Sequence, residues 1–152
     1  MNTTLRFLST ISIFLLLMAI GFDVVQIRHI KKDMKDSLDL STKAAAMQID
    51  EDPAKIGAGI FEIDVTKAKK VNKEYFFENV NLSPERVNLS TDILNTHTKT
   101  IYNAPNNKKY DIDSPTIFAS AEYHYNGIFL SRDLDVHLLS ASVLKNKNDL
   151  KR

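Results

Sequence analysis

The residue types that most often carry chemistry are few in this chain, and their spacing is unfavourable. There are four histidines, His29, His97, His124 and His137, and no cysteine. No pair of histidines has the HExxH, HxH or HxxxH spacing of a metal site. Without cysteine, the chain has no disulfides, iron–sulfur clusters or thiol nucleophiles. His124 and His137 could be neighbours across a predicted strand pair, but ordinary strand positions are favoured over a metal site.

Carboxylates are the remaining candidates for acid–base chemistry. Most of them fall in predicted turns or near helix ends, where acidic side chains cap backbone amides. The chain has neither a GxSxG motif nor the glycine spacing of a phosphate-binding loop. We therefore expect a non-enzymatic protein without a catalytic residue, cofactor site, metal site or evident small-molecule substrate. The carboxylates considered are Glu51, Asp52, Glu62, Asp64, Asp111 and Asp113.

Composition limits the class of protein further. The chain has 152 residues and a formal net charge of +1, with 43% hydrophobic and 26% charged residues. A nucleic-acid-binding domain usually carries a strong basic excess, so no nucleic-acid partner is expected. About 125 residues follow the apolar N-terminus, which suits one domain and not two.

The N-terminal apolar run predicts a transmembrane anchor within residues 1–27. Residues 7–22 carry no charge, and a spanning helix needs about 20 apolar residues. A core helix of a soluble domain is one alternative, and a signal peptide cleaved near Gly21 is another. We favour the anchor because the helical pattern continues through the possible cleavage site. The lipid-facing candidates are Phe7, Ile11, Phe14, Leu15, Leu17 and Phe22.

The positive-inside rule bears on which side of the membrane the domain occupies. Arg6 precedes the apolar run, whereas Arg28, Lys31, Lys32 and Lys35 follow it. This count favours a cytoplasmic domain. The expected single-pass, extracytoplasmic arrangement therefore rests on the resemblance described below and opposes the charge count.

Beyond the apolar run, one amphipathic helix is predicted to continue to about residue 50, where Pro53 follows its end. Its apolar residues recur every three or four positions, which is the period of one helix face. Packing of residues 44–46 within the domain is favoured over packing against another subunit. The predicted interaction face consists of Ile27, Ile30, Met34, Leu38, Ala45 and Ile49.

The remaining residues complete a predicted α+β domain that spans 28–150. Asp64 is placed as the N-cap of a short helix over residues 65–79, and residues 103–114 are predicted as a mobile polar loop. Strands are predicted at 116–125 and 133–144, joined by a connection containing Asn126-Gly127. Residues 96–102 are expected to add a third antiparallel strand. Tyr123 and Tyr125 share one strand face, and a core position is favoured over a partner-binding one.

This order of elements resembles the type IV pilin-like proteins, in particular the TadE-like minor pilins. The resemblance rests on the helix at residues 39–50, on GIFEID at 59–64 before a charged helix, and on LLSAS at 138–142 in the closing hairpin. The chain departs from the family pattern because no glycine precedes Phe7 and no acidic residue lies within 7–22. Processing by a prepilin peptidase is therefore not implied.

The resemblance implies a membrane protein that acts by protein–protein interaction. Its partners would be membrane lipid and other pilin-like or assembly subunits of a bacterial pilus, secretion or DNA-transfer apparatus. Two alternatives remain open: a single-pass extracytoplasmic ligand-binding or sensory domain, and a secreted domain released by cleavage near Gly21.

Overall fold

The computed structural model describes residues 3–104, 107–127 and 138–143. It has the predicted α+β architecture, in which a long N-terminal helix and a shorter one pack on antiparallel strands. The helices are α1 (Thr3–Ala46), α2 (Pro53–Gly57) and α3 (Val65–Asn79), and a single 3-10 turn covers Pro84–Arg86. The strands are β1 (Val87–Leu94), β2 (Thr100–Asn103), β3 (Lys109–Ile112), β4 (Thr116–Tyr123) and β5 (Leu138–Val143).

Helix α1 runs without interruption from the apolar segment into the domain, as predicted, but it ends at Ala46 and not near residue 50. Ile49 leaves the helix and pairs with Ile63 in an isolated antiparallel bridge. The Asp50 N–H donates to the Glu62 carbonyl, and the Asp64 N–H donates to the Gln48 carbonyl. These long-range bonds satisfy backbone groups that another helical turn would otherwise have used.

Helix α3 begins where the sequence predicts. The Asp64 carboxylate accepts hydrogen bonds from the Thr66 and Lys67 N–H groups, each at 3.0 Å. The helix runs antiparallel to α1: Ala68 packs near Ala45, and Phe76 packs near Met34. Helix α2 was not predicted, although Asp52 caps it and Pro53 occupies its first turn, as both residue types favour.

Three strands form the main sheet in the order β1-β4-β5, with antiparallel pairing throughout. In β1 and β4 the register pairs Val87 with Tyr123 and Leu94 with Thr116. The predicted strand pair at the C-terminal end of the chain is therefore present as β4 and β5. The connection contains Asn126 and Gly127, while residues 128–137 and 144–152, including His137, lie outside the described residues.

The predicted three-strand sheet is confirmed and residues 100–102 do lie in a strand, but the predicted position of that strand is wrong. Strand β1, not residues 96–102, lies beside β4, and β2 pairs with β3 in a separate two-stranded sheet. Val87, Leu89 and Ile93 supply the apolar face of β1. Polar residues occupy the intervening positions, which is the alternation expected of a strand with one buried face. Strand β3 also lies within the segment that was predicted to be a loop.

The two-stranded sheet covers the outer face of the main sheet. Tyr102 stacks on Phe118 with ring centroids 4.2 Å apart, and Tyr110 contacts the same ring at 5.4 Å. The Tyr102 hydroxyl donates to Asp92 at 2.5 Å. Burial and this carboxylate both raise the pKa of Tyr102.

The opposite face of the sheet packs on α1 and α3. Alternate β4 side chains, from Ile117 through Tyr123, point toward the helices. Tyr123 and Tyr125 are buried, as the core interpretation predicts. Ala119 and Ala121 are also buried, and their small side chains allow the long helix to lie close to the strand.

Candidate functional site

The first half of α1 projects away from the domain. All six predicted anchor residues are exposed; Phe7, for example, retains 66% of its surface and Leu17 retains 62%. By length and composition, α1 is the one helix among the described residues that could cross a membrane, and a signal sequence would meet the same criteria. The apolar surface is thus accessible for lipid or for another helix.

The second half of α1 has the opposite character. Met34, Leu38 and Ala45 of the predicted interaction face are completely buried, while Ile27 and Ile30 are partly buried against the same core. The surfaces that cover them belong to α3 and to the sheet. Ile49 lies beyond the helix and is 37% exposed. In this structure the predicted face therefore docks the domain on its own helix.

A buried polar contact marks the boundary between the two halves. Asp23 follows the apolar run directly, yet its side chain is completely buried. The Tyr125 hydroxyl donates a 3.1 Å hydrogen bond to Asp23 Oδ1. Burial and then this hydrogen bond raise the pKa of Tyr125, so the hydroxyl stays protonated at neutral pH. We call Asp23, Tyr125 and Gly127 the clasp.

Gly127 belongs to the clasp because its backbone lies against the carboxylate. A Cβ atom at this position would be 2.8 Å from Asp23 Oδ2 and 2.9 Å from the Tyr125 ring. At such distances a Cβ atom would force the Asp23 carboxylate or the Tyr125 ring to shift, so the close approach favours glycine. The sequence predicts Gly127 only as part of the Asn126-Gly127 connection and indicates no partner for Asp23. The sequence signal for this contact was an isolated acidic residue, Asp23, at the end of the apolar run.

The basic residues after the clasp lie on one side of α1. Arg28, Lys31, Lys32 and Lys35 are all exposed. At 100° per residue they fall within an arc of about 100° and a rise of about 10 Å. Within the part of the chain that the structure describes, none of the four forms an ion pair. We call these four residues the basic stripe.

An open cleft of about 530 Å³ lies at the same end of the domain as the clasp. Its wall mixes both signs of charge with amide and aromatic groups, and the His124 N–H donates to the Arg86 carbonyl at 3.2 Å behind it. The lining residues are Glu85, Arg86, Val87, Asn88, Glu122, Tyr123, His124 and Asn126.

Most of the carboxylates considered for acid–base chemistry have structural partners, whereas Glu51 is exposed and Asp113 accepts a hydrogen bond from the adjacent Ser114 hydroxyl. Asp52 and Asp64 cap helices, and Glu62 shares Lys55 with Asp50, each at 2.7 Å. These contacts raise the pKa of Lys55 and lower that of Asp50. Asp111 pairs with Lys99 at 3.4 Å. The described residues bring together no cluster of three or more potential metal ligands.

Taken together, the geometry offers an apolar helix, a fixed junction and a cationic surface beyond it. Comparison with family models, with characterised proteins and with solved structures finds no match for this chain.

Proposed function

We propose that the chain is a membrane-anchored, non-enzymatic, pilin-like subunit or assembly component of a bacterial pilus, secretion or DNA-transfer apparatus. Its domain lies on the extracytoplasmic side, and the protein acts by helix packing and protein–protein contact. The observation that carries this proposal is the division of α1 into an exposed apolar half and a half buried in its own domain.

The length of the exposed half supports anchoring. Arg6 and Asp23 are about 26 Å apart along the helix axis at 1.5 Å per residue, close to the ~30 Å hydrocarbon thickness of a bilayer. A charged residue thus stands at each end of a segment that is uncharged and predominantly apolar. A soluble core helix would bury such a segment, whereas only 6% of its most apolar window is buried here.

Topology and processing are tested first. We would treat intact cells with protease and read the mature N-terminus by mass spectrometry. An accessible, membrane-retained chain that begins near Met1 supports the proposal. A protected chain would place the domain in the cytoplasm, as the charge count favours, and would overturn the pilin-like assignment. An N-terminus at Phe22 would identify a secreted domain instead.

Assembly is tested by cysteine cross-linking, for which the natural chain offers a cysteine-free background. Single cysteines at consecutive positions 14–18 would be oxidised in membranes. Specific subunit packing predicts cross-links that recur with the helical period, because only one face meets the neighbour. Uniform or absent cross-linking along the segment would contradict assembly through this helix. A cysteine in place of exposed Lys70, on α3, serves as the control.

The cleft supports a second candidate function, a ligand-binding or sensory domain on the same anchor. Tyr123 and His124 both line it and could contact a polar ligand, although small-molecule sites usually have a more apolar wall. The test is a thermal-shift screen of the full chain in micelles against small polar metabolites. A hit that His124→Ala abolishes would favour this function; a screen without stabilising compounds would remove its support.

A further inference from the structure

We propose that the basic stripe binds anionic phospholipid headgroups and so holds the domain against the membrane surface. The inference rests on the proposed anchoring of α1 but adds a partner that anchoring alone does not require. It is independent of which side of the membrane the domain occupies.

The position of the stripe on α1 sets its depth. Arg28 lies about 9 Å beyond Phe22 along the axis, and Lys35 lies about 20 Å beyond it. Helical side chains lean toward the N-terminus, which for this helix is toward the apolar run. The long side chains of Arg28, Lys31 and Lys32 therefore extend back toward the headgroup zone, which is ~5–8 Å thick on each side.

The residues around the basic stripe leave its positive charge available to bind an anionic headgroup. Its four cations are exposed and form no ion pair with described residues. At the same 100° per residue, Asp36 lies about 40° outside the arc and Asp33 about 100° outside it. Asp39 lies within the arc but about 6 Å beyond Lys35, on the side away from the apolar run. A headgroup phosphate near Arg28 would thus meet cations first. Four such residues next to a membrane segment form the kind of cluster that attracts anionic lipid.

The clasp fixes the domain on α1, and this keeps the basic stripe exposed. With Asp23 buried under Tyr125 and Gly127, the domain is packed on α1 from the boundary onward. The domain covers the side of the helix that carries Ile30, Met34 and Leu38, and the stripe lies outside that side. The cations therefore face the solvent and the lipid surface and not the domain.

The experiment uses the full chain in phosphatidylcholine vesicles with a trace of spin-labelled phosphatidylglycerol or spin-labelled phosphatidylcholine. Electron paramagnetic resonance measures the fraction of each label that is immobilised beside the protein. We expect the anionic label to be favoured at least about fivefold, since one Lys or Arg near an anionic surface contributes ~1 kcal/mol. The preference should vanish in about 1 M salt, where the Debye length is ~3 Å.

Two charge variants decide whether the stripe is responsible. The stripe variant changes Arg28, Lys31, Lys32 and Lys35 to glutamine. The control changes Lys43, Lys67, Lys69 and Lys70 to glutamine, which removes the same charge at the far end of the domain. The preference should be lost only in the stripe variant. A third variant, Arg28→Lys with Lys31→Arg, Lys32→Arg and Lys35→Arg, should keep it.

The contrary outcomes are distinct. Equal loss in the stripe and control variants would assign the effect to net charge and overturn the inference. An unmodified chain that floats with the vesicles but shows no lipid preference would overturn the inference and leave the anchor intact. A chain that does not float with the vesicles would overturn the anchoring and this inference together.

Discussion

The hydrogen bond between Tyr125 and buried Asp23 is the residue-level contact that most directly joins the domain to the apolar helix. We expect Tyr125→Phe to lower the free energy of unfolding by about 1–3 kcal/mol, because the buried carboxylate loses a donor that water cannot replace. Urea unfolding in micelles, followed by tyrosine near-ultraviolet circular dichroism, measures the change. Tyr75→Phe, at a 47% exposed position, is the control, and equal effects of the two variants would contradict the argument.

Gly127 allows a second prediction at the same contact. Gly127→Ala should lower the free energy of unfolding by about 1–3 kcal/mol through overpacking, since the new methyl group meets the Asp23 carboxylate. Gly57→Ala is the matched control, because a Cβ atom there has no neighbour within 4 Å. The same urea titration applies. A Gly127→Ala chain as stable as the Gly57→Ala chain would mean that the backbone does not approach Asp23 so closely.

Among the elements, α1 is docked on the domain by large buried side chains in its second half. Leu38 is completely buried between α3 and the sheet, whereas Leu40 on the same helix is 53% exposed. Leu38→Ala should cost about 2–5 kcal/mol by leaving a cavity, and Leu40→Ala should cost less than about 0.5 kcal/mol. Similar unfolding midpoints for the two variants would show that α1 is not docked on the domain.

The start of α3 confers acid sensitivity. Hydrogen bonds from backbone N–H groups, chiefly that of Lys67, lower the pKa of Asp64 below its ordinary value of 3.8. A carboxyl group with a depressed folded-state pKa stabilises the fold above its unfolded-state pKa, and this stabilisation is lost as the pH falls through the folded-state value. Stability should therefore decline below about pH 4.

The substitution that isolates this effect is Asp64→Asn, because asparagine also caps helices but does not ionise. Unfolding midpoints measured from neutral pH into the acid range should fall less steeply for the variant. Part of the decline should remain, since the pKa of Asp50 is also lowered, by Lys55. Identical pH profiles for the two chains would contradict the role of Asp64.

Elements with a clear local sequence pattern were predicted from that pattern. The period of the α1 residues and the cap at Asp64 fixed both long helices, with the end of α1 displaced by a few residues. Pairing between distant segments was not readable from one sequence. Strand β1 was missed although Asn88, Ser90 and Asp92 alternate with its apolar residues, which is the period of a strand with one buried face. The 96–102 segment was misplaced because threonine content indicates a strand and not its partner.

Only part of the candidate site was predicted, because the sequence shows local patterns but not contacts between distant residues. The apolar run and the cations after it are contiguous in sequence, so their places on α1 follow from the helical period. The clasp joins residues 102 positions apart, and no local pattern connects them. The exposure of the predicted anchor residues and the burial of Met34 and Leu38 distinguish the two halves of α1, and the clasp marks their boundary.

For the molecule as a whole, the apolar half of α1 contributes little to the core. A chain that begins at Asp23 should therefore fold with the same near-ultraviolet spectrum and stay monomeric without detergent, because its remaining core residues begin at Ile27. Analytical ultracentrifugation and circular dichroism test this, with the full chain in micelles as reference. Aggregation or loss of tyrosine signal in the shortened chain would show that the first half of α1 is needed for folding.

An uninterrupted helix that is clamped at Asp23 has a mechanical consequence. Because α1 is continuous, no flexible linker separates the part that would sit in lipid from the part that carries the domain. The two parts therefore move as one rigid body. The arm from Asp23 to Ala46 is about 35 Å long. If the bilayer inclines the lipid-embedded part by about 20°, the far end of the domain is carried sideways by about 12 Å. The packing and the interfacial side chains that set the tilt of the lipid-embedded part would thereby also set where the tip of the domain stands.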